Sequence, residues 1–160
     1  MTAKHFRRFA REWAMQFLFQ YDLTPVEDNE EAIDNFLAQL GDSELFESPS
    51  DSKTFRKADR IARGIINGIL ENIVEIDKVI SEYSSKWTIE RMNTVDRNVL
   101  RVAIYEMLFC QNVPPVVSIN EAVEIGKIYG TDNTSSFING VLNAVMNTLS
   151  RPSREAVFDK

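Results

Sequence analysis

The sequence predicts an all-α fold of about seven helices, and three observations carry that prediction. Nothing alternates with a period of two for long enough to make a strand. Apolar residues recur at helical spacing along nearly the whole chain. Proline, glycine and short polar clusters then cut that period into helix-sized lengths. The 160 residues suit one domain, or two small halves sharing a core, and a hydrophobic content of 44% is enough to build one.

Each element has its own justification. Residues 4–23 form the first helix, stopped by Thr24-Pro25. Residues 29–40 form the second, with Ala32, Ile33, Phe36, Leu37 and Leu40 on one face and Gly41 at its end. The stretch DSELFESPSD (42–51) is loop-like, and Asp51 or Ser52 is placed to cap the third helix. The segment 53–83 repeats Ile61, Ile65, Ile69, Ile73 and Ile76, with a break near Asn72 that divides it in two. Gly64 and Gly68, one turn apart inside it, are read as packing positions.

Residues 84–94 (SSKWTIERMNT) are a connector with one short helical turn. It divides the chain into 1–83, which carries a basic first helix, and 84–160, which carries a central buried helix and a flexible tail. Thr94 is placed to cap that central helix, Val95–Phe109, whose apolar residues surround most of its circumference. Pro114-Pro115 ends the region. Ser118 and Glu121 make a capping box for a helix that Gly130 closes after Tyr129. A last helix from Thr134 to about Leu149 buries Ile138, Val141, Leu142, Val145 and Leu149, with Gly140 read as a close packing point between helices.

The charge is uneven. The chain carries a net −6, yet its first eleven residues hold Lys4, Arg7, Arg8 and Arg11 and no acid. From Glu12 to Ser52 there are eleven acids and no Lys or Arg. A basic end on an acidic body suggests a local site for a polyanion. On a helical wheel, Phe6, Ala10, Trp13, Ala14, Phe17 and Tyr21 gather within about 120° as the core face. Lys4, Arg8, Arg11, Met15 and Phe19 fall opposite, with Arg7 at the margin, so Phe19 is expected to be exposed at the end of a cationic stripe. Cations neutralise phosphates, and an exposed ring stacks on an unpaired base. Single-stranded RNA offers both partners, while packing of Phe19 on another helix is the structural alternative. Lys53, Arg56, Arg60 and Arg63 share a second face and are expected to pair with the acids between Glu27 and Glu47.

Catalytic chemistry is missing. His5 is the one histidine and Cys110 the one cysteine, so no zinc site and no paired nucleophile can be drawn, and no cofactor is expected. No apolar run approaches the roughly 20 residues that cross a bilayer. A single cysteine without a secretion signal fits a reducing cytoplasm.

Four segments carry a resemblance to a known family. RRFAREWAMQFLFQYDL, VDRNVLRVAIYEML, VPPVVSINEAVEIGKIYG and SSFINGVLNAV are similar, in order, to segments of the NusB transcription antitermination factors. The resemblance implies an all-helical fold of two three-helix-bundle-like subdomains and a non-catalytic role. It also implies binding of the single-stranded boxA element of ribosomal RNA leaders, together with the small ribosomal-subunit protein NusE. That assembly joins elongating RNA polymerase and other Nus factors and suppresses termination. By position, Arg7, Arg8 and Arg11 match the family's basic motif, Phe19 a usual aromatic, and Phe9 stands where some members are basic. Asp96 replaces a common glutamate. Asn133 stands where an acid is frequent, near Phe137, and these three resemble positions of the RNA or partner surface. Some relatives form homodimers that hide the RNA face. A related domain opens some RNA cytosine methyltransferases, but a chain stopping at Lys160 leaves no room for that enzyme, so the free-standing factor is expected. The alternative from another class is a protein-only adaptor whose basic end docks an acidic segment.

Overall fold

The computed structural model describes residues 3–41, 49–85 and 87–157, with side chains beginning at Phe6 in the first helix and at Ser52 in the third. Among the described residues there are seven α-helices, one 3₁₀ turn and no strand. They are α1 (Ala3–Leu23), α2 (Asn29–Gly41), α3 (Pro49–Glu71), α4 (Ile73–Tyr83), α5 (Thr94–Phe109), α6 (Pro115–Tyr129) and α7 (Thr134–Met146), with the 3₁₀ turn at Ile89–Arg91. The break expected near Asn72 is real. The Asn72 side chain donates back to the Gly68 carbonyl at 2.8 Å, and its backbone serves as the N-cap of α4.

Contacts divide the chain into two compact units, Met1–Asn67 and Gly68–Lys160. The packing boundary lies within α3, and α4 groups with the second unit because it packs on α5 and α7. The 84–94 connector therefore lies inside the second unit. In the first unit, rings lock the three helices together. Trp13 meets Phe55 at 5.5 Å between centroids, and Phe17 meets Phe36 edge-on at 5.7 Å. Ile33, Leu37, Ala58, Ala62 and Ile66 are buried.

In the second unit α5 is the central helix, packed on α4, α6 and α7. It buries even polar residues. Arg101 inserts its guanidinium between helices, with Nε and Nη2 each donating at 2.8 Å to the Asp77 carboxylate and Nη1 donating to Asn98 Oδ1 at 3.0 Å. Gly68 is a true packing point, because a Cβ there would overlap the Tyr105 ring and hydroxyl.

Several element ends differ from the expectation. Residues 49–51 are helical, since Pro49 suits the first turn, where its missing N–H costs nothing. The cap of α5 is Asn93, whose side chain accepts the Val95 N–H at 2.8 Å. Thr94 is already helical. The start of α6 is Pro115 rather than Ser118, for the same reason as Pro49, and Ser118 and Glu121 are buried inside the helix instead of forming a capping box. Gly64 and Gly140 have open space where a Cβ would sit, so neither is a packing point, and the exposed Gly140 has room for a side chain. The tail after α7 carries hydrogen bonds back to the α5–α6 corner. The Val157 N–H donates to the Gln111 carbonyl at 2.7 Å, and the Val116 N–H donates to the Ser153 carbonyl at 3.0 Å.

Candidate nucleic-acid interface

The cationic stripe of α1 is less open than its wheel suggests. Arg11 is 6% exposed and Met15 2%, while Arg8 and Phe19 are half-buried. The reason is Leu18, which lies within about 20° of Arg11 on the wheel and is fully buried. It widens the buried arc of α1 from Ala14 round to Met15. Arg8 and Arg11 both have interaction partners within the protein. The side chain of Lys4 lies outside the described residues. Arg7 is exposed.

Exposed cations gather elsewhere in the first unit. The Phe6 ring has the Arg7 guanidinium carbon 5.7 Å from its centroid and the Lys57 Nζ 5.3 Å from it. That ring brings the basic end of α1 and the basic start of α3 to one place through two cation–π contacts. Among the described residues, the expectation that the α3 cluster pairs with the acid-rich segment holds for Arg63, and the acids Asp42, Glu44 and Glu47 of that segment lie outside the described residues. Arg63 forms an ion pair with Asp34 and donates from Nε to Asp59 at 2.9 Å. These bonds, that to Asp34 foremost, hold its pKa above the ordinary arginine value. Lys53, Arg56 and Arg60 are exposed and make no ion pair among the described residues.

The second unit carries a cavity of about 290 Å³ lined by Trp87, Arg91, Met92, Asn93, Asp96, Asn133 and Phe137. Three local devices shape it. Ser85 takes a left-handed conformation (φ 57°), unusual for a residue with a Cβ, and turns the chain after α4. Ser84 Oγ then donates to the Trp87 carbonyl at 2.8 Å, and Arg97 Nη1 donates to the Ile89 carbonyl at 2.9 Å, fixing the 3₁₀ turn. Across the cavity, the buried Thr134 hydroxyl donates to Asp96 Oδ1 at 2.7 Å and ties the start of α7 to the start of α5. Gly130 permits this, because a Cβ there would overlap the Thr134 side chain. Burial raises the Asp96 pKa above the usual carboxylate value, and the Thr134 bond opposes that rise without cancelling it. Asn133 precedes α7 but makes no side-chain capping bond.

The structure thus brings Asp96, Asn133 and Phe137 together in one cavity. Trp87, 53% exposed, is the large ring at its mouth that sequence reasoning missed, together with Arg91, Met92 and Asn93. The available signal was a tryptophan in a polar connector, where no core accounts for it. Chemically, the cavity offers aromatic and thioether surfaces flanked by a guanidinium, two amides and a carboxylate. That is the mixture that holds a flat, polar-edged ring such as a nucleobase. Among the described residues no group of His, Cys, Asp or Glu could hold a metal ion, and no helix is long and apolar enough to cross a membrane.

Comparisons with known proteins agree with this architecture. The NusB family pattern matches residues 8–147. The transcription antitermination protein NusB of Pelotomaculum thermopropionicum is 42% identical over 140 residues, covering 88% of each chain. That of Desulfosudis oleivorans is 43% identical over 87% of this chain and 84% of its own. Among solved structures, T. maritima NusB superposes with a TM-score of 0.75 at 39% identity, covering 91% of this chain and 93% of that one. A chain from the crystal structure of antitermination factors NusB and NusE in complex with dsRNA shares the fold, with a TM-score of 0.74 at 24% identity and coverage of 91% and 98%. With the family pattern spanning most of the sequence and relatives above 40% identity across most of their length, the chain belongs to the NusB family of transcription antitermination factors, which are not enzymes.

Proposed function

We propose that this protein is an RNA-binding adaptor that holds single-stranded boxA RNA of ribosomal RNA leaders together with NusE. It acts in the cytoplasm, joining the RNA polymerase elongation complex with other Nus factors and suppressing termination. The observation that carries the reading is the cavity. Asp96 and, about 40 residues on, Asn133 and Phe137, which resemble the family's RNA or partner surface, line one pocket beside an exposed tryptophan. In this reading Trp87 and Phe137 hold an unstacked base, while Asn93, Asn133 and Asp96 meet its polar edge. Lys4, Arg7 and Arg8 contact phosphates at the start of α1. Arg11, sealed beneath the surface, contributes its field rather than a direct contact. Phe19, half-buried, lies at the far end of the stripe.

The test is a titration with single-stranded boxA RNA, with and without NusE, at two salt concentrations and against a duplex competitor of equal charge. Replacing Trp87 by Ala is expected to weaken binding by about 1–3 kcal/mol, the usual worth of one base–ring stack. The paired substitutions Arg7→Gln and Arg8→Gln are expected to flatten the plot of log K against log salt by about 1.4, at roughly 0.7 per single-strand phosphate contact. Binding that treats duplex and single strand alike, and ignores the loss of Trp87, would instead favour a surface for acidic protein segments.

A further inference from the structure

We propose that the outer face of α3 is a second phosphate-binding surface, formed by Lys53, Arg56, Lys57 and Arg60. It would take the backbone of single-stranded RNA flanking the segment held at α1. The inference rests on the RNA-binding reading above and extends it to residues that reading does not use.

Four observations carry it. The cations recur at intervals of three, one and three residues, which places them on one helical face roughly 10 Å long at about 1.5 Å rise per residue. That length suits two to three successive phosphates, spaced roughly 3.4 Å along a stacked strand. All four are exposed. Among the described acids, Asp59 of the same helix and Asp34 of α2 are both bound to Arg63 rather than to this face. The face is also continuous with the α1 end, because Lys57 and Arg7 both contact the Phe6 ring.

The experiment compares two oligonucleotides on the full chain. One is the boxA core, and the other is the same core with an unstructured oligouridine tail. Wild type is expected to bind the tailed RNA more tightly, with a steeper salt dependence. The triple variant Lys53→Gln/Arg56→Gln/Arg60→Gln leaves Lys57 on Phe6. It is expected to bind the core as wild type does, while its slope on tailed RNA is shallower by about 2, three contacts at roughly 0.7 each. Arg60→Gln alone is expected to give about a third of that change, and the circular dichroism of both variants should match wild type. Equal slopes for wild type and triple variant on tailed RNA would overturn the inference and leave the boxA reading standing. Failure of wild type to bind the core would overturn the reading itself, and the inference with it. Displacement of the tail by polyglutamate as readily as by RNA of equal charge would assign the face to acidic protein segments and overturn it too.

Discussion

The Asp96 carboxylate is half-buried, accepts one bond from Thr134, and has its pKa raised by desolvation. A raised pKa means that the fold prefers the protonated form. The group's stabilising contribution is therefore full below the ordinary value of 3.8 and is lost as the pH climbs through the folded-state pKa. Asp96→Asn keeps the oxygen that Thr134 needs and removes the charge. It is expected to melt no lower than wild type at pH 7, with the two curves converging as the pH falls toward 3.8. A clear drop in Tm at pH 7 would show that the carboxylate is held by more than Thr134. Single-residue placement is also the least legible part of the sequence. A wheel with a narrow apolar arc has nowhere but outward to put Arg11 and Met15, and the burial of Leu18 shows that the buried arc of α1 is wider. Trp87 gives no periodic signal, since it lies in a connector where periodicity carries no information.

At the level of helices the sequence is far more legible. All seven appear, including the break at Asn72, because apolar spacing over a dozen residues averages out local ambiguity. The misread ends, at Thr94 and Ser118, have different causes. Asn93 and Thr94 are adjacent residues of capping type, and Asn93 takes the role, whereas Pro115 starts α6 a turn before Ser118 because proline suits the first helical position. The α4–α5 pair is welded by Asp77 and Arg101, the latter 5% exposed. Asp77→Ala leaves a buried guanidinium short of its bidentate partner and is expected to cost about 3 kcal/mol in chemical denaturation. Adding Arg101→Met should recover part of that loss, because the stranded charge is gone. Gly68→Ala is expected to cost about 1–3 kcal/mol, the penalty for forcing a methyl against the Tyr105 ring. A smaller side chain at position 105 should relieve it. Tyr105 gives a second readout. Burial, with Cys110 next in importance, pushes its hydroxyl up to about 12, so a looser Gly68–Tyr105 contact should lower the pH at which its phenolate absorbance appears.

Across the whole molecule, the unequal charge distribution is plain in composition. The gathering of residues 87–96 with 133–137 is not, because it depends on how α5 and α7 meet. The far end of the chain makes a similar long-distance closure. Arg151 donates from Nη1 to the Gln111 carbonyl at 2.9 Å and the Cys110 carbonyl at 3.3 Å, and from Nη2 to the Glu106 carbonyl at 3.4 Å. A cation at this position complements the negative end of α5 and adds a second donor to carbonyls that each already accept a backbone N–H. Arg151→Ala is expected to lower stability by about 1 kcal/mol, measured by thermal melting. The closure also sets an order of events on the ribosome. At roughly 5–20 residues per second, about 2–8 s of synthesis separate Cys110 from the arginine 41 positions later. Throughout that interval the nascent central helix has only its local backbone bonds at its last turn and lacks the cation that complements it.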